Sequence, residues 1–300
     1  MKVTITGATG FVGKNLIKYL NQHQVNSVGL SLRKDSWKTV LDKTNNAIIH
    51  LAGKAHDLEN TSEEAAYFKI NRDLTIELFN EFLNSEIQDF FYFSSVKAVA
   101  DAANGIIDEN VNPKPLTPYG KSKFEAEQYL LKQKLPTGKR LFIIRPCMIH
   151  GPGNKGNLNL LYKIVDKGIP WPLSKFENNR SFLSIDNLSY LIFEMLNNKT
   201  LQSGVYNFSD DTALSTNQLI IAINKALDRK AKFLPISKSL IQNVAKVGDK
   251  IKLPLNSERL KKLTESYIVS NQKIKTALGI NKLPLTAEEG IQKTILSFKK

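Results

Sequence analysis

Residues 2–13 read KVTITGATGFVG, and their order decides the fold. KVTIT (2–6) is an apolar run rich in β-branched side chains, the composition of a short strand. Gly7, Gly10 and Gly13 follow at intervals of three, and FVGKNLIKYLNQ (11–22) then takes up helical spacing. Side-chain-free positions between a strand and a helix let the backbone turn sharply, approach a pyrophosphate and pack helix on strand. The helix N-terminus then faces the negative charge. A glycine triplet alone says little. Framed by a strand and an amphipathic helix, it predicts a dinucleotide phosphate loop.

The same alternation continues outward from that loop. SVGLSL (27–32), AIIHLAG (47–53), DFFYFSSV (89–96) and RLFIIRPC (140–147) read as further strands. Between them, EEAAYFKINRDLTIELFNEFLNS (63–85) carries Tyr67, Ile70, Leu74, Leu78 and Phe82 at helical spacing, and PYGKSKFEAEQYLLKQ (118–133) reads as another helix. Strands without polar alternation, separated by helices, predict a doubly wound α/β (Rossmann) domain with a parallel sheet covered on both faces. Ligands of such a sheet bind at the carboxyl ends of its strands. After Arg145-Pro146 the pattern loosens. HGPGNKGN (150–157) and IPWPLSKFENNRS (169–181) read as loops, and SGVYNFSD (203–210) as a late strand. The expected division is a cofactor domain of residues 1–150 plus about 181–209. A smaller C-terminal substrate-binding lobe takes about 151–180 plus 210–300.

Composition narrows the partners. The chain has 300 residues, 42% of them hydrophobic, and a formal charge of +14. A basic balance favours anionic ligands. The lysines are scattered, and no zinc-finger spacing, recognition-helix pattern or aromatic-plus-basic motif appears, so no nucleic-acid partner is expected. No apolar run approaches the ~18 residues of a membrane span and no leader is visible, so a soluble cytoplasmic protein without a membrane partner is expected. Cys147 is the single cysteine, sits in an apolar run and reads as a buried thiol in a reducing compartment. The histidines (23, 50, 56 and 150) show no ligand spacing, so no metal is expected, and His50 reads as a core histidine.

Tyr119 and Lys123 are spaced i, i+4, which puts both on one face of a helix that Thr117 can cap and Pro118 can open. A phenol with a pKa near ~10 is a poor base at neutral pH, and a neighbouring ammonium favours its ionised form. Such a pair can exchange a proton with a hydroxyl of a bound ligand. Ser94 and Ser95 end the fourth strand, upstream of this pair.

These residues together resemble the extended short-chain dehydrogenase/reductase superfamily. SSVK followed by TPYGKSK resembles its UDP-glucose 4-epimerase-like subgroup, bacterial proteins of surface-polysaccharide pathways that include UDP-4-keto-6-deoxy-N-acetylhexosamine 4-reductases. The likeness runs on through RPCMIHGPG (145–153), with His150 in the place of a tyrosine, and through NRSFLSIDNL to ALGINKLPLTAEEGI. It spans essentially the whole chain. It implies a catalytic set of Ser95, Tyr119 and Lys123, with Ser94 as the alternative one register earlier. It implies cofactor contacts from Gly7, Thr9, Gly10, Phe11, Val12, Gly13, Leu51, Ala52, Gly53 and Asn71, together with Tyr119 and Lys123. Asn71 would also support the active-site hydrogen bonds. A UDP-sugar would meet Ser95, Lys97, Asn157, Arg180 and Arg259, although a solvated Lys97 is an equal reading. Ala100-Asp101 stands where Tyr-Gly or Asn-Gly is frequent, which weakens a substrate contact there. A homodimer built through two helices of the first domain is also implied.

SVGLSLRKD (27–35) bears on the cofactor. In NAD-binding forms an acid ends the second strand and holds the ribose hydroxyls. Ser31 stands there, followed by Arg33 and Lys34, and a guanidinium suits a 2′-phosphate. NADP(H) is therefore favoured, with NAD(H) possible. That leans toward a 4-keto-sugar reductase over a 4-epimerase that regenerates bound NAD. A silent NADP-binding sensor is a third reading, against which the intact Ser95, Tyr119 and Lys123 argue.

Overall fold

A computed structural model of the chain describes residues 1–54, 63–102, 105–154, 157–251 and 256–299, with Asn157 described in its backbone alone. His56 and loop residues 155–156 lie outside the described residues.

Strand β1 (Lys2–Thr6) leads through the glycines into α1 (Phe11–Gln22), which buries Gly13, Leu16 and Leu20 along one stripe. β2 (Asn26–Leu30), a short α2 (Trp37–Val40) and β3 (Ala47–His50) follow. The next helical stretch comprises α3 (Glu64–Phe68), a π-turn (Lys69–Asp73) and α4 (Leu74–Leu83). β4 (Asp89–Phe93), β5 (Ile106–Ile107), α5 (Pro118–Lys132) and β6 (Arg140–Pro146) complete the first half. The second half begins with β7 (Met148–His150), α6 (Asn157–Asp166), β8 (Phe182–Ser184), α7 (Ile185–Asn197) and β9 (Gly204–Phe208). It ends with α8 (Thr216–Ala226), α9 (Lys238–Ile251), α10 (Ser257–Thr264), β10 (Ile268–Val269), α11 (Gln272–Leu278) and α12 (Ala287–Leu296).

Six strands form one parallel sheet in the order β2-β1-β3-β4-β6-β9. The fold is thus the expected α/β Rossmann-like one, with helices on both faces. β4 is buried along its whole length, which explains its unbroken DFFYF. Strand order reverses between β1 and β3, and the crevice at their carboxyl ends is where such sheets hold ligands.

Two expectations need correction. SVGLSL reads as a buried strand, yet β2 covers 26–30, is outermost, and buries only Leu30. Residues 31–46 hold α2 but no further strand, and among the described residues nothing pairs with its outer edge. The periodicity of 63–85 predicts one helix with Ile70 on its apolar face. The π-turn widens that turn, so Asn71 becomes fully buried and Ile70 is left 36% exposed.

One core fills the face between the sheet and α1 with α7, from Val3, Ile5, Leu16, Ile144, Leu188 and Ile192. A second lies on the other face and joins Ile48 to Phe79, Phe82, Phe90 and Leu130. Phe79 and Phe90 meet edge-on at 5.1 Å, and truncating either would cost about 3–5 kcal/mol. The third core belongs to the lobe: Leu161, Trp171, Ile220, Ile241 and Ile291. Tyr267, Val269 and Ile274 lie in residues expected to belong to the lobe, yet they pack into the first core. The cause is β10, which pairs with β5 beside the main sheet.

Candidate active site

The glycine loop has the geometry its spacing predicts. Gly7 adopts φ 66°, and a Cβ there would lie 2.8 Å from the Ala52 nitrogen, so only glycine fits the approach of β1 to the turn after β3. A Cβ on Gly13 would run into the Gly7 carbonyl, which receives the Gly10 N–H at 2.9 Å. Helix α1 starts without a side-chain cap, and Thr9 and Gly10 are exposed. The backbone N–H groups of its first turn are therefore a ready anion site, and a dinucleotide pyrophosphate fits them. Phe11 and Val12 are half-buried beside the loop, and Phe11 packs under Gly151.

Next to this loop, β2 delivers Ser31 and Arg33. Leu30 pairs with Thr6, so both residues emerge beside Gly7. Leu32 turns into the core that holds Trp37, which leaves Ser31 and Arg33 exposed. Neither makes a side-chain hydrogen bond or ion pair among the described residues. Asp42 is occupied elsewhere: it receives the Lys2 ammonium at 2.6 Å.

At the ends of β3 and β4 the remaining pieces converge. Thr117 Oγ1 accepts the Gly120 N–H at 3.2 Å and caps α5, with Pro118 in its first turn, so Tyr119 starts the helix in a fixed direction. Lys123, one turn on, is buried and donates to the Phe93 carbonyl at 2.8 Å. Its ammonium also faces Gly53, where a Cβ would sit 3.2 Å from Nζ. Burial pushes Lys123 down to about 8, against the pull of Glu127. Burial also raises the Tyr119 phenol, an effect opposed by a hydrogen bond from Ser95. Ser95 further accepts the Lys97 N–H at 3.2 Å. Ser94 points the other way, donating to buried Glu127, which Arg145 also holds at 3.0 Å. The structure thus brings Ser95, and not Ser94, to Tyr119.

Asn71 lies beneath this group. Its Oδ1 accepts the Lys54 N–H at 2.7 Å, and its Nδ2 donates to Ser122 Oγ at 3.1 Å. Ser122 in turn donates to the Tyr119 carbonyl at 2.8 Å. The buried His50 links the same π-turn back to β1. Thr75 Oγ1 spends its proton on the Asn71 carbonyl at 2.8 Å, so it accepts from His50 Nε2–H at 2.9 Å. Burial pushes the imidazole down to about 3, so it is neutral and Nδ1 accepts from Thr6 Oγ1 at 2.7 Å. Thr6 accepts the Ala52 N–H at 3.1 Å. Every donor in this chain points from the Leu51–Ala52 turn toward the π-turn, and the network assigns the Nε2–H tautomer.

Residues 3–208 match the model of the NAD dependent epimerase/dehydratase family. The chain belongs to that family.

A UDP-glucose 4-epimerase of Vibrio cholerae is 29% identical, over 99% of this chain and 95% of its own. An N-acetyl-α-D-glucosaminyl-diphospho-ditrans,octacis-undecaprenol 4-epimerase of Escherichia coli O157:H7 is 26% identical, over 98% and 94%. Among solved structures, RMD from Pseudomonas aeruginosa complexed with NADPH aligns with a TM-score of 0.75 at 22% identity, covering 99% of this chain and 98% of that one. UDP-N-acetylglucosamine 4-epimerase from Bacillus cereus aligns at 0.78 and 18% identity over the full length of both chains. Relatives of the chain include sugar 4-epimerases, a GDP-6-deoxy-D-mannose reductase and a GDP-6-deoxy-D-talose 4-dehydrogenase, all of an extended short-chain dehydrogenase type that binds NAD(P).

In this epimerase/dehydratase frame the substrate side is less assembled. Lys97 Nζ donates to the Asp101 carbonyl at 2.8 Å and lies 4.6 Å from the centre of the Tyr267 ring, so it is neither freely solvated nor an open cation. Arg180 is close enough to lower its ammonium further, after burial has done so first. Arg180 Nη1 itself donates to the Lys262 carbonyl at the end of α10. Arg259 is exposed one turn earlier on α10, and the Asn157 side chain lies outside the described residues.

Asp101 is the residue that sequence reading missed. Its Oδ2 accepts the Leu116 N–H at 2.7 Å and the Thr117 N–H at 3.2 Å, while Oδ1 receives the Thr117 hydroxyl at 3.1 Å. The carboxylate therefore clamps the turn that aims Tyr119. The nearest sequence signal was its position after SSVKAVA, where a carboxylate replaces a glycine.

Proposed function

We propose that this chain is an NADPH-dependent reductase of a UDP-linked 4-keto sugar in surface-polysaccharide synthesis. The observation that carries the reading is the end of β2, where Ser31 and Arg33 stand exposed beside the phosphate loop and no acid occupies the ribose position. A carboxylate would repel a 2′-phosphate, whereas a guanidinium pairs with it. A nicotinamide bound at the crevice supplies the hydride. The chain does the rest: Ser95 holds the ketone oxygen, Tyr119 gives it a proton, and the Lys123 ammonium stabilises the phenolate left behind. The raised Tyr119 keeps its proton at neutral pH, the state a reduction needs first. We assign the diphosphate to Lys97, Arg180, Arg259 and Asn157, and a homodimer through α4 and α5 completes the proposal.

A second reading, a UDP-hexose 4-epimerase with retained NAD, is favoured by the Vibrio cholerae relative, which aligns with nearly all of this chain. Denaturing the purified protein and identifying the released dinucleotide separates the two. The reductase predicts an empty or NADP-loaded site and consumption of NADPH in step with product. Stoichiometric NAD, with no net NADPH oxidation, would overturn it.

A further inference from the structure

Helix α9 carries two apolar stripes, and only one has a partner. Ile241, Ala245 and Gly248 are buried, the first two in the lobe's core. Leu240, Val244, Val247 and Ile251 repeat at i, i+4, i+7 and i+11 and are 55, 41, 52 and 63% exposed. At about 100° per residue they fall within an arc of roughly 60°, turned about 100° from the buried stripe. A solvated helix face ordinarily carries charge there. A few residues before α9, Phe233 and Leu234 are also exposed, in a segment fixed by backbone bonds from Trp171 N to Lys232 O at 2.8 Å and from Leu234 N to Trp171 O at 2.9 Å.

The charges around the stripe are predominantly positive. Lys230, Lys232, Lys246 and Lys250 are exposed and form no ion pair among the described residues. Between Lys225 and Ile251 the only acids are Asp228 and Asp249. Asp249 is tied to Ser257, accepting its N–H at 2.9 Å and its hydroxyl at 2.6 Å. A second copy of this chain packed about a two-fold axis on the stripe would bring like rows of lysines together. An anionic bilayer has no such conflict: the stripe enters the boundary between headgroups and acyl chains, and the ammonium groups remain at the level of the lipid phosphates.

We propose that α9 with Phe233 and Leu234 is a docking surface for an anionic membrane. The protein lies on the bilayer without crossing it; among the described residues no helix is long and apolar enough to span one. This departs from the expectation of no membrane partner, which considered spanning segments and leaders but not the face of an amphipathic helix. The surface is independent of which sugar or dinucleotide the active site takes.

Co-sedimentation of the full chain with phosphatidylcholine vesicles, with and without about 30% phosphatidylglycerol, tests the proposal. Binding to the anionic vesicles is expected, weaker by about ten-fold or more on pure phosphatidylcholine or in about 0.5 M NaCl. Val244→Asp with Val247→Asp should lower binding by about ten-fold or more. Both side chains are exposed, so the thermal unfolding midpoint should not move. Lys246→Glu with Lys250→Glu should weaken binding to anionic vesicles alone. The proposal falls if the wild-type chain stays in the supernatant with anionic vesicles, or if binding survives the valine substitutions. It falls too if light scattering shows that those substitutions turn a dimer into a monomer, because a second copy would then cover the stripe.

Discussion

The corner around Tyr119 and the end of β2 lie on the same edge of the sheet and are built in opposite ways. At the first, hydrogen bonds through Asp101, Thr117, Asn71, Ser122 and the Phe93 carbonyl fix the start of α5, the π-turn and Lys123. At the second, Ser31 and Arg33 stand in solvent with no partner among the described residues. The difference separates two kinds of energy. Catalytic geometry is fixed in advance so that little reorganisation accompanies proton transfer. A phosphate site on an open edge draws its energy from the ligand's charge when it binds. Change at the first corner should therefore appear in turnover, and change at the second in affinity.

The sharpest test is Tyr119→Phe. It should lower turnover by about 10³-fold while NADPH affinity, read by fluorescence, stays within about two-fold. Turnover within tenfold of wild type would end the assignment of the proton to Tyr119. Asp101→Ala should come next, lowering kcat by roughly 10- to 100-fold through the loosened start of α5. KM should move little, and Asp101→Glu should recover part of the loss, because a carboxylate is restored. A rise in KM as large as the fall in kcat would mean that Asp101 meets substrate directly.

Arg33→Ala should weaken NADPH by about ten-fold, the worth of one charge-assisted pair, and leave NADH within two-fold. Equal effects on both, measured by calorimetry, would remove the open-edge half of the comparison. The smallest effect concerns pH. His50 is neutral when folded, with a pKa depressed to about 3, whereas the unfolded chain takes up the proton near ~6.5. Stability is therefore lost as pH falls below that unfolded value toward the folded one, by about 2 kcal/mol between pH 7 and 5 from this group alone. Urea midpoints of His50→Gln should lack that part of the slope. An unchanged slope would show that His50 is not held neutral.

How much of this was legible depends on sequence distance. The phosphate loop could be read because strand, glycines and helix lie within residues 2–22, and the pair Tyr119–Lys123 because one helical turn joins them. Thr117 and Pro118 announced the start of α5 for the same local reason. Asp101 was opaque, because its partners lie fifteen and sixteen residues on, across a loop with no periodic pattern. The π-turn was hidden since Ile70 and Asn71 are both compatible with an apolar stripe until one turn is widened. β2 was misjudged as buried because its apolar letters say nothing about which strand ends up outermost. In the lobe, the pairing of Trp171 with Phe233 and the exposed stripe of α9 depend on loops whose path no spacing rule encodes.

The π-turn at Lys69–Asp73 also constrains how this chain can vary in length. It is one surplus residue held inside a helix, and Asn71 reaches Lys54 and Ser122 only while that surplus is kept. Deleting one residue of the turn would close it into an ordinary α-helical turn while its two flanks keep their directions, because the π-turn absorbs the extra residue locally. Asn71 would lose its place between Lys54 and Ser122, whereas Leu78 and Phe82 would keep theirs in the core. The surplus residue therefore serves the site and not the core: a chain one residue shorter here would keep the helix and its packing but lose the buried asparagine.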